Sequence, residues 1–195
     1  MSQEKSELRK YFKALRNKLS QEEVKTESQK INQNFIKNLL PQLLQKNPQA
    51  KFALYLSAYN EVNTSDITKH FIANKIIFSY PKIIAKNEIL EFVQYQQNQA
   101  FEANKIFPKI LEIKNGKKII PDFIIIPLLA FDKNKNRLGM GGGFFDRSLA
   151  HFATTKHEFY TIGLAYDFQL YDKTLPTDNT DKSLDFIVSA SDILS

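Results

Sequence analysis

The sequence predicts an α/β fold, a single layered domain over residues 1–195 with a mostly parallel central sheet flanked by helices and two helices at its N-terminus. Three observations carry this reading. Apolar residues recur at helical spacing over the first forty positions. Short runs of branched and aromatic residues then alternate with helical segments. One run, residues 123–126, is apolar throughout and closed by Pro127, the pattern of a strand buried on both faces.

Leu8, Tyr11, Phe12, Leu15 and Leu19 mark a first amphipathic helix over residues 3–19. Ser20 and Glu23 form a capping box, in which hydroxyl and carboxylate satisfy orphan N–H groups where a second helix begins. Val24, Ile31, Phe35 and Leu39 give that helix its apolar stripe, and Pro41 is expected to bend or end it. Residues 51–57 read as the first strand, and Thr64 or Ser65 as the cap of a short helix ending near Ala73. Residues 76–80 read as a strand stopped by Pro81, and residues 89–95 as a strand with one wet face. The polar stretch 96–118 has no legible periodicity. Beyond residues 123–126 the chain predicts a loop over 132–143, a helix over 144–152, and strands at 160–165 and 186–188.

Composition narrows the function. Hydrophobic residues make up 43% and charged residues 25%, so a packed core is expected rather than disorder. The absence of cysteine excludes a disulfide framework, a thiol nucleophile and cysteine-ligated metals. No apolar run approaches the roughly 20 residues that span a bilayer. Residues 1–18 are charged throughout and lack the apolar stretch of a signal peptide, so a cytoplasmic protein with no membrane partner is expected. The formal charge of +6 favours anionic partners, among which a nucleotide triphosphate, a polycarboxylate and nucleic acid all qualify. His70, His151 and His157 show no ligand spacing and read as structural or surface residues.

Chemistry concentrates in residues 131–147, FDKNKNRLGMGGGFFDR, where four of the six glycines fall between Gly139 and Gly143. Clustered glycines let backbone N–H groups converge on an anion, and a helix N-terminus directly after them adds partial positive charge. Arg137 is placed to neutralise a phosphate oxygen, and Asp146 to hold a divalent metal beside it. Alternatively the glycines form a flexible surface loop with Arg137 and Asp146 as a solvated pair. The spacing is neither the G-x-G-x-x-G of a dinucleotide fold nor the Walker pattern.

The string Pro127-x-x-x-Phe131-Asp132-x-x-x-x-Arg137-Leu138-Gly139-x-Gly141-x-Gly143-Phe144-Phe145-Asp146 resembles the signature of the 5-formyltetrahydrofolate cyclo-ligase family. Matching elements run through the chain in order: Lys5 to Arg9 (K-x-x-L-R), Tyr55 to Glu61, Ile162 to Ala165, and Leu175-Pro176 with Asp181 and Asp185 beyond. The family carries Tyr-Tyr where this chain has Phe144-Phe145. The resemblance implies ATP-dependent cyclisation of 5-formyltetrahydrofolate to 5,10-methenyltetrahydrofolate through a phosphorylated formyl group. It implies that Lys5, Arg9, Arg137, Leu138, Met140, the glycines 139 and 141–143, Phe144 and Phe145 bind ATP, with Arg137 serving phosphoryl transfer. It implies Mg²⁺ held by Asp146 and Asp185. Leu56, Glu61, Met140, Gly141, Gly142, Gly143 and Phe144 would line the folate pocket, with Glu61 accepting from the pterin's donor-rich edge and Tyr59, Tyr80 or Phe144 stacking on it.

Two other readings remain at this point. A non-catalytic RNA- or nucleotide-binding module would suit the charge, although no RNP, KH or double-stranded-RNA motif is present. A related phosphotransferase with another substrate would suit the Phe144-Phe145 departure.

Overall fold

The computed structural model of the chain describes residues 3–178 and 181–195. Helix α1 (Gln3–Asn17) is followed by α2 (Gln21–Asn34), whose Ser20–Glu23 capping box forms with both hydrogen bonds in place. Pro41 does not end the helix. The turn before it widens into a π-turn (Phe35–Leu39), with the Leu40 N–H donating to the Phe35 carbonyl, and α3 (Leu40–Lys46) continues with proline in its first turn. A proline there has no N–H to lose, which is why the helix survives. Tyr11, expected on the apolar stripe of α1, is instead 59% exposed, while Phe12 is buried.

The strand expected over residues 51–57 pairs in the ladder only as β1 (Phe52–Ala53). Beyond it the chain stays buried through Tyr55 and turns at Tyr59 and Asn60, both in the left-handed region (φ 52° and 58°), toward Glu61. Helix α4 (Ser65–Ala73) has Thr64 at its N-cap, but the Thr64 hydroxyl donates to the Tyr55 carbonyl at 2.7 Å rather than capping the helix. Strand β2 (Phe78–Ile83) runs through Pro81 instead of stopping there. β1 pairs with β2 only at Phe78 and Ser79, so past Ser79 one side of β2 is an open edge, where a residue without an N–H is tolerated.

Strand β3 (Leu90–Gln94) pairs antiparallel with β2. Residues 96–118, illegible in the sequence, contain a small hairpin of β4 (Phe101–Ala103) and β5 (Leu111–Ile113). Strand β6 (Phe123–Pro127) is the wholly buried run. Each of its three isoleucines, Ile124 to Ile126, contributes about 1.5–3 kcal/mol through burial. The segment expected as a plain loop after it holds a second hairpin, β7 (Ala130–Phe131) with β8 (Arg137–Leu138), before α5 (Phe144–Ala153). Strands β9 (Tyr160–Leu164), β10 (Phe186–Val188) and β11 (Ile193–Leu194) complete the chain.

The main sheet has seven strands in the order β11-β10-β9-β6-β1-β2-β3. The five central strands are parallel and the outermost strand on each side is antiparallel. Helices α2, α3 and α4 cover one face through Ile31, Phe35, Leu39, Leu43, Ile67 and Phe71, while α5 covers the other through Leu149 and Phe152. The chain leaves β1 toward β2 on one side and leaves β6 toward β9 on the other. Adjacent parallel strands with diverging connections open a crevice beyond their carboxyl ends, the usual ligand position in such sheets. The segments emerging there are residues 54–61 and 128–143.

Gly163 in β9 belongs to this packing. A Cβ there would lie 2.7 Å from Leu184 Cδ1 and 2.8 Å from Leu128 Cδ2. Gly163→Ala is expected to cost about 1–3 kcal/mol by overpacking. Thermal unfolding checks this, and an unchanged Tm would show that Leu128 and Leu184 can repack.

Candidate active site

The glycine segment, α1 and the C-terminal segment enclose a cavity of about 340 Å³. Its lining includes Lys5 and Arg9 from α1, Arg137, Gly139, Gly141, Gly143, Asp146 and Arg147, and Asp178 and Asp181 from beyond Pro176. Residues 5 and 9 are one helical turn apart, which brings both cations to the same wall. Leu138 also lines the cavity, but its side chain is buried in the small core formed with Phe12, Leu129 and Leu175.

Lys5 is 3% exposed and forms ion pairs with Asp178, at 2.6 Å, and Asp181. Burial pulls its pKa down, yet the two carboxylates outweigh burial and hold it above the ordinary lysine value. Asp181 is shifted the other way: burial favours its neutral form, but hydrogen bonds from Lys5 and the Asp178 N–H hold its pKa below the usual carboxylate range. Arg9 Nε donates to the Gly139 carbonyl at 3.0 Å, and its buried Nη1 has no hydrogen-bond partner among the described residues. Arg137 is a buried cation, its side chain 5% exposed, donating to the Lys182 carbonyl at 2.6 Å and pairing with Asp146. The pair is therefore desolvated on the arginine side, not the solvated surface pair that was one reading of the sequence.

Gly143 is the N-cap of α5 at φ 65°, and Gly141 has φ 93°, conformations that glycine adopts without a Cβ clash. Among the described residues, no protein acceptor takes the N–H groups of Gly141, Gly142 or Gly143. With the unpaired N–H groups of the first turn of α5, they make a wall of donors of the kind that suits an anion. Arg147 completes it, donating to the Gly142 carbonyl at 3.1 Å with its guanidinium 4.9 Å from the Phe144 ring centre.

The signature aspartate Asp132 is structural. It is 1% exposed, and its carboxylate accepts from the N–H groups of Asn134, Asn136 and Leu175 and from the Asn136 side chain. It thereby pins the β7–β8 turn that presents Arg137.

Asp185, expected beside Asp146 at a metal, is not in the cavity lining. Its carboxylate accepts from the Thr161 N–H at 2.6 Å and the Thr161 hydroxyl at 2.8 Å, which ties the start of β10 to β9. The cavity carboxylates beside Asp146 are Asp178 and Asp181, and of these Asp178 carried no sequence signal. Tyr80 is also displaced from the site: it is 3% exposed among Phe78, Tyr95 and Phe101, and burial pushes its phenol up to about 12. His157 is tied to Pro121 and Asp122 at the opposite end of β6.

Glu61 stands at the neighbouring mouth of the crevice. Its Oε2 accepts from the Ala58 N–H at 3.0 Å, and its Oε1 faces Arg16 at 3.9 Å. Burial raises its pKa, opposed by the Ala58 hydrogen bond and by Arg16. Leu56 is half-buried and packs on the main core, Tyr59 is exposed, and the exposed Met140 meets the same Arg16 guanidinium through its sulfur. Phe144 and Phe145 are half-buried against the α5 side of the core, and Phe107 meets Phe144 edge-on at 5.8 Å. Arg16 was missed in the sequence because a lone arginine reads as solvated. Its spacing from Arg9 and Phe12, seven and four residues, puts it on their helix face and was the available signal.

Fold and site together define an α/β protein with a glycine-rich loop and a cluster of cations at the sheet's switch point and a recessed carboxylate beside them. Residues 1–190 match the 5-formyltetrahydrofolate cyclo-ligase family, and the chain belongs to that enzyme family. It is 34% identical to the 5-formyltetrahydrofolate cyclo-ligase of Mycoplasma pneumoniae, covering 95% of this chain and 98% of the relative. Identity to the Haemophilus influenzae cyclo-ligase is 30%, over 94% and 96% of the two chains. Among solved structures, a 5,10-methenyltetrahydrofolate synthetase from Mycoplasma pneumoniae is similar with a TM-score of 0.71 at 31% identity, covering 95% of this chain and 98% of that one. The Aquifex aeolicus 5,10-methenyltetrahydrofolate synthetase gives 0.78 at 27% identity, over 97% and 91%. No helix among the described residues is long and apolar enough to cross a membrane.

Proposed function

We propose that the protein catalyses the ATP-dependent closure of 5-formyltetrahydrofolate to 5,10-methenyltetrahydrofolate, releasing ADP and phosphate. Family membership supports the folate substrate. The observation that carries the ATP half is the cavity wall of free glycine N–H groups, flanked by Lys5, Arg9, Arg137 and Arg147. Four cations against three carboxylates leave this lining net positive, suited to a polyphosphate.

An amide-like formyl oxygen is a poor leaving group, and phosphorylation makes it a good one. The formyl oxygen attacks the γ-phosphorus and the bond to ADP breaks. The neighbouring anilino nitrogen then attacks the activated carbon and gives up its proton, and phosphate departs with the former formyl oxygen as the ring closes. The chain's residues supply positioning and charge stabilisation for both steps. Lys5, Arg9, Arg137 and the glycine N–H groups hold phosphate oxygens, and Glu61 accepts hydrogen bonds from the pterin edge.

Among the described residues no three acidic or histidine side chains converge on one metal position. Asp146, Asp178 and Asp181 line the cavity, and one or two of them with phosphate and water would suit Mg²⁺, which binds in that way. Bound there with the nucleotide, Mg²⁺ would neutralise phosphate charge. The pairs Arg137–Asp146 and Lys5–Asp181 each set a phosphate partner beside a metal partner. Phe144 and Phe145 act through ring packing, without the hydroxyls of the usual Tyr-Tyr.

The test is a spectrophotometric assay with 5-formyltetrahydrofolate and MgATP. ATP-dependent appearance of the methenyl absorbance in the near ultraviolet is expected. A folded sample that binds MgATP but forms no product would leave the nucleotide site and remove the folate assignment.

A further inference from the structure

Arg16 is a cation that the reaction above does not use, and it is 1% exposed, among the most deeply buried large side chains in the molecule. A buried arginine is costly unless its charge is matched. Here the match is incomplete. Nη1 donates to the Leu128 carbonyl at 3.3 Å and faces Glu61 Oε1 at 3.9 Å, Nη2 reaches Met140 Sδ at 3.5 Å, and Nε has no hydrogen-bond partner among the described residues. Hydrophobic residues in its place would serve stability as well or better.

The position of these contacts is informative. Glu61 follows β1, whereas Leu128 and Met140 follow β6, so one guanidinium touches both segments that leave the switch point. Its own backbone is held there too, since Asn60 Nδ2 donates to the Arg16 carbonyl at 3.3 Å and to the Leu19 carbonyl at 3.0 Å.

We propose that Arg16 is a positioning residue for folate binding, holding the Glu61 carboxylate charged and oriented and tying it to the glycine segment through Leu128 and Met140. The inference rests on the folate reading of the site. It extends that reading by assigning the state of the recognising carboxylate to a residue that cannot itself reach the ligand.

The ionisable groups facing this pair, Tyr55 and Tyr166, are held neutral by burial, their pKa values raised. Arg16 is therefore the cation that opposes the upward pull of burial on Glu61. Without it the carboxyl pKa rises further. Protonated Glu61 exchanges an acceptor for a donor, which meets the donor edge of the pterin badly.

The experiment compares wild type, Arg16→Lys, Arg16→Met, Glu61→Gln and the Arg16→Met/Glu61→Gln double variant, each with its Tm. Calorimetric titration of the wild type with 5-formyltetrahydrofolate comes first. No binding there removes the folate reading, and this inference with it. Given binding, Arg16→Met is expected to raise KM for 5-formyltetrahydrofolate by about 10-fold or more, as loss of one buried charge partner does. KM for MgATP should stay within about 2-fold. The acid limb of kcat/KM for the folate should move to higher pH, and Arg16→Lys should recover most of the loss. The double variant should be little worse than Glu61→Gln alone, because Arg16 acts through Glu61. Equal effects on both KM values, an unmoved acid limb, or full additivity in the double variant would overturn the proposal. If Arg16→Met does not fold, the pH limb and KM split of Arg16→Lys decide the question.

Discussion

Arg137→Ala is expected to lower ATP-driven turnover by at least about 100-fold, the scale of losing one preorganised donor to a developing charge. The side chain is buried, and burial pulls its pKa down against the opposing fields of Asp146 and Asp181, although an arginine remains charged at any working pH. Its fork joins the Lys182 carbonyl to Asp146. Alanine would leave Asp146 without its cation and reduce the lining to three cations against three carboxylates, removing the net attraction for polyphosphate. Arg137→Lys keeps the charge, but one ammonium on a flexible stem does not reproduce a planar fork that serves two acceptors. It should fall between wild type and alanine. The methenyl absorbance assay at saturating MgATP measures the effect, with Tm recorded to separate chemistry from unfolding. A folded Arg137→Ala protein with unchanged turnover would refute the role.

The second large effect separates two glycines of the same loop. Gly143→Ala places a Cβ at φ 65°, 2.6 Å from Arg147 Nη1. Left-handed backbone costs an alanine about 1–2 kcal/mol, which corresponds to a fall in Tm of roughly 2–8 °C for a chain of this size. Arg147 must also leave its bond to the Gly142 carbonyl, so the wall facing the phosphates is disturbed and MgATP affinity should fall by about 10-fold. Gly139→Ala differs: no atom lies within 4 Å of the added Cβ, and the backbone is not left-handed. Stability should therefore stay within about 0.5 kcal/mol of wild type. The open space beside Gly139 is where the phosphates are proposed to sit, so MgATP affinity should fall all the same. Calorimetric titration with MgATP and thermal unfolding distinguish the cases. A Gly139→Ala protein with both properties intact would mean that the nucleotide does not use that space.

Much of the fold was legible because its signals are local. The Ser20–Glu23 capping box, the stripe of α2, the wholly apolar β6 and the glycine cluster before α5 each lie within one short stretch of chain. The misreadings had tertiary causes. Pro81 is a breaker by local rule, yet an open sheet edge accommodates it. Polar residues 96–118 hid a hairpin that packs on β2, where Lys82 donates to the Ile113 and Lys114 carbonyls. Tyr80 looked available for stacking, but neighbouring strands enclose it in aromatic rings.

The sequence by itself determined the α/β class, the family to which the chain belongs, and the place of the glycine loop with Arg137 and Asp146 around it. Residues a few positions apart share one loop or one helix face whatever the rest of the chain does. Only the tertiary structure decided which distant polar side chains meet: Lys5 with Asp178, separated by 173 residues; Arg16 with Glu61; and Asp185 with Thr161 instead of the cavity. Those pairings depend on strand order and on the side of the switch point from which each segment leaves, and no local pattern encodes either. An isolated charge in a sequence reads as solvated because water is its default partner, and only the packed chain shows where water has been replaced.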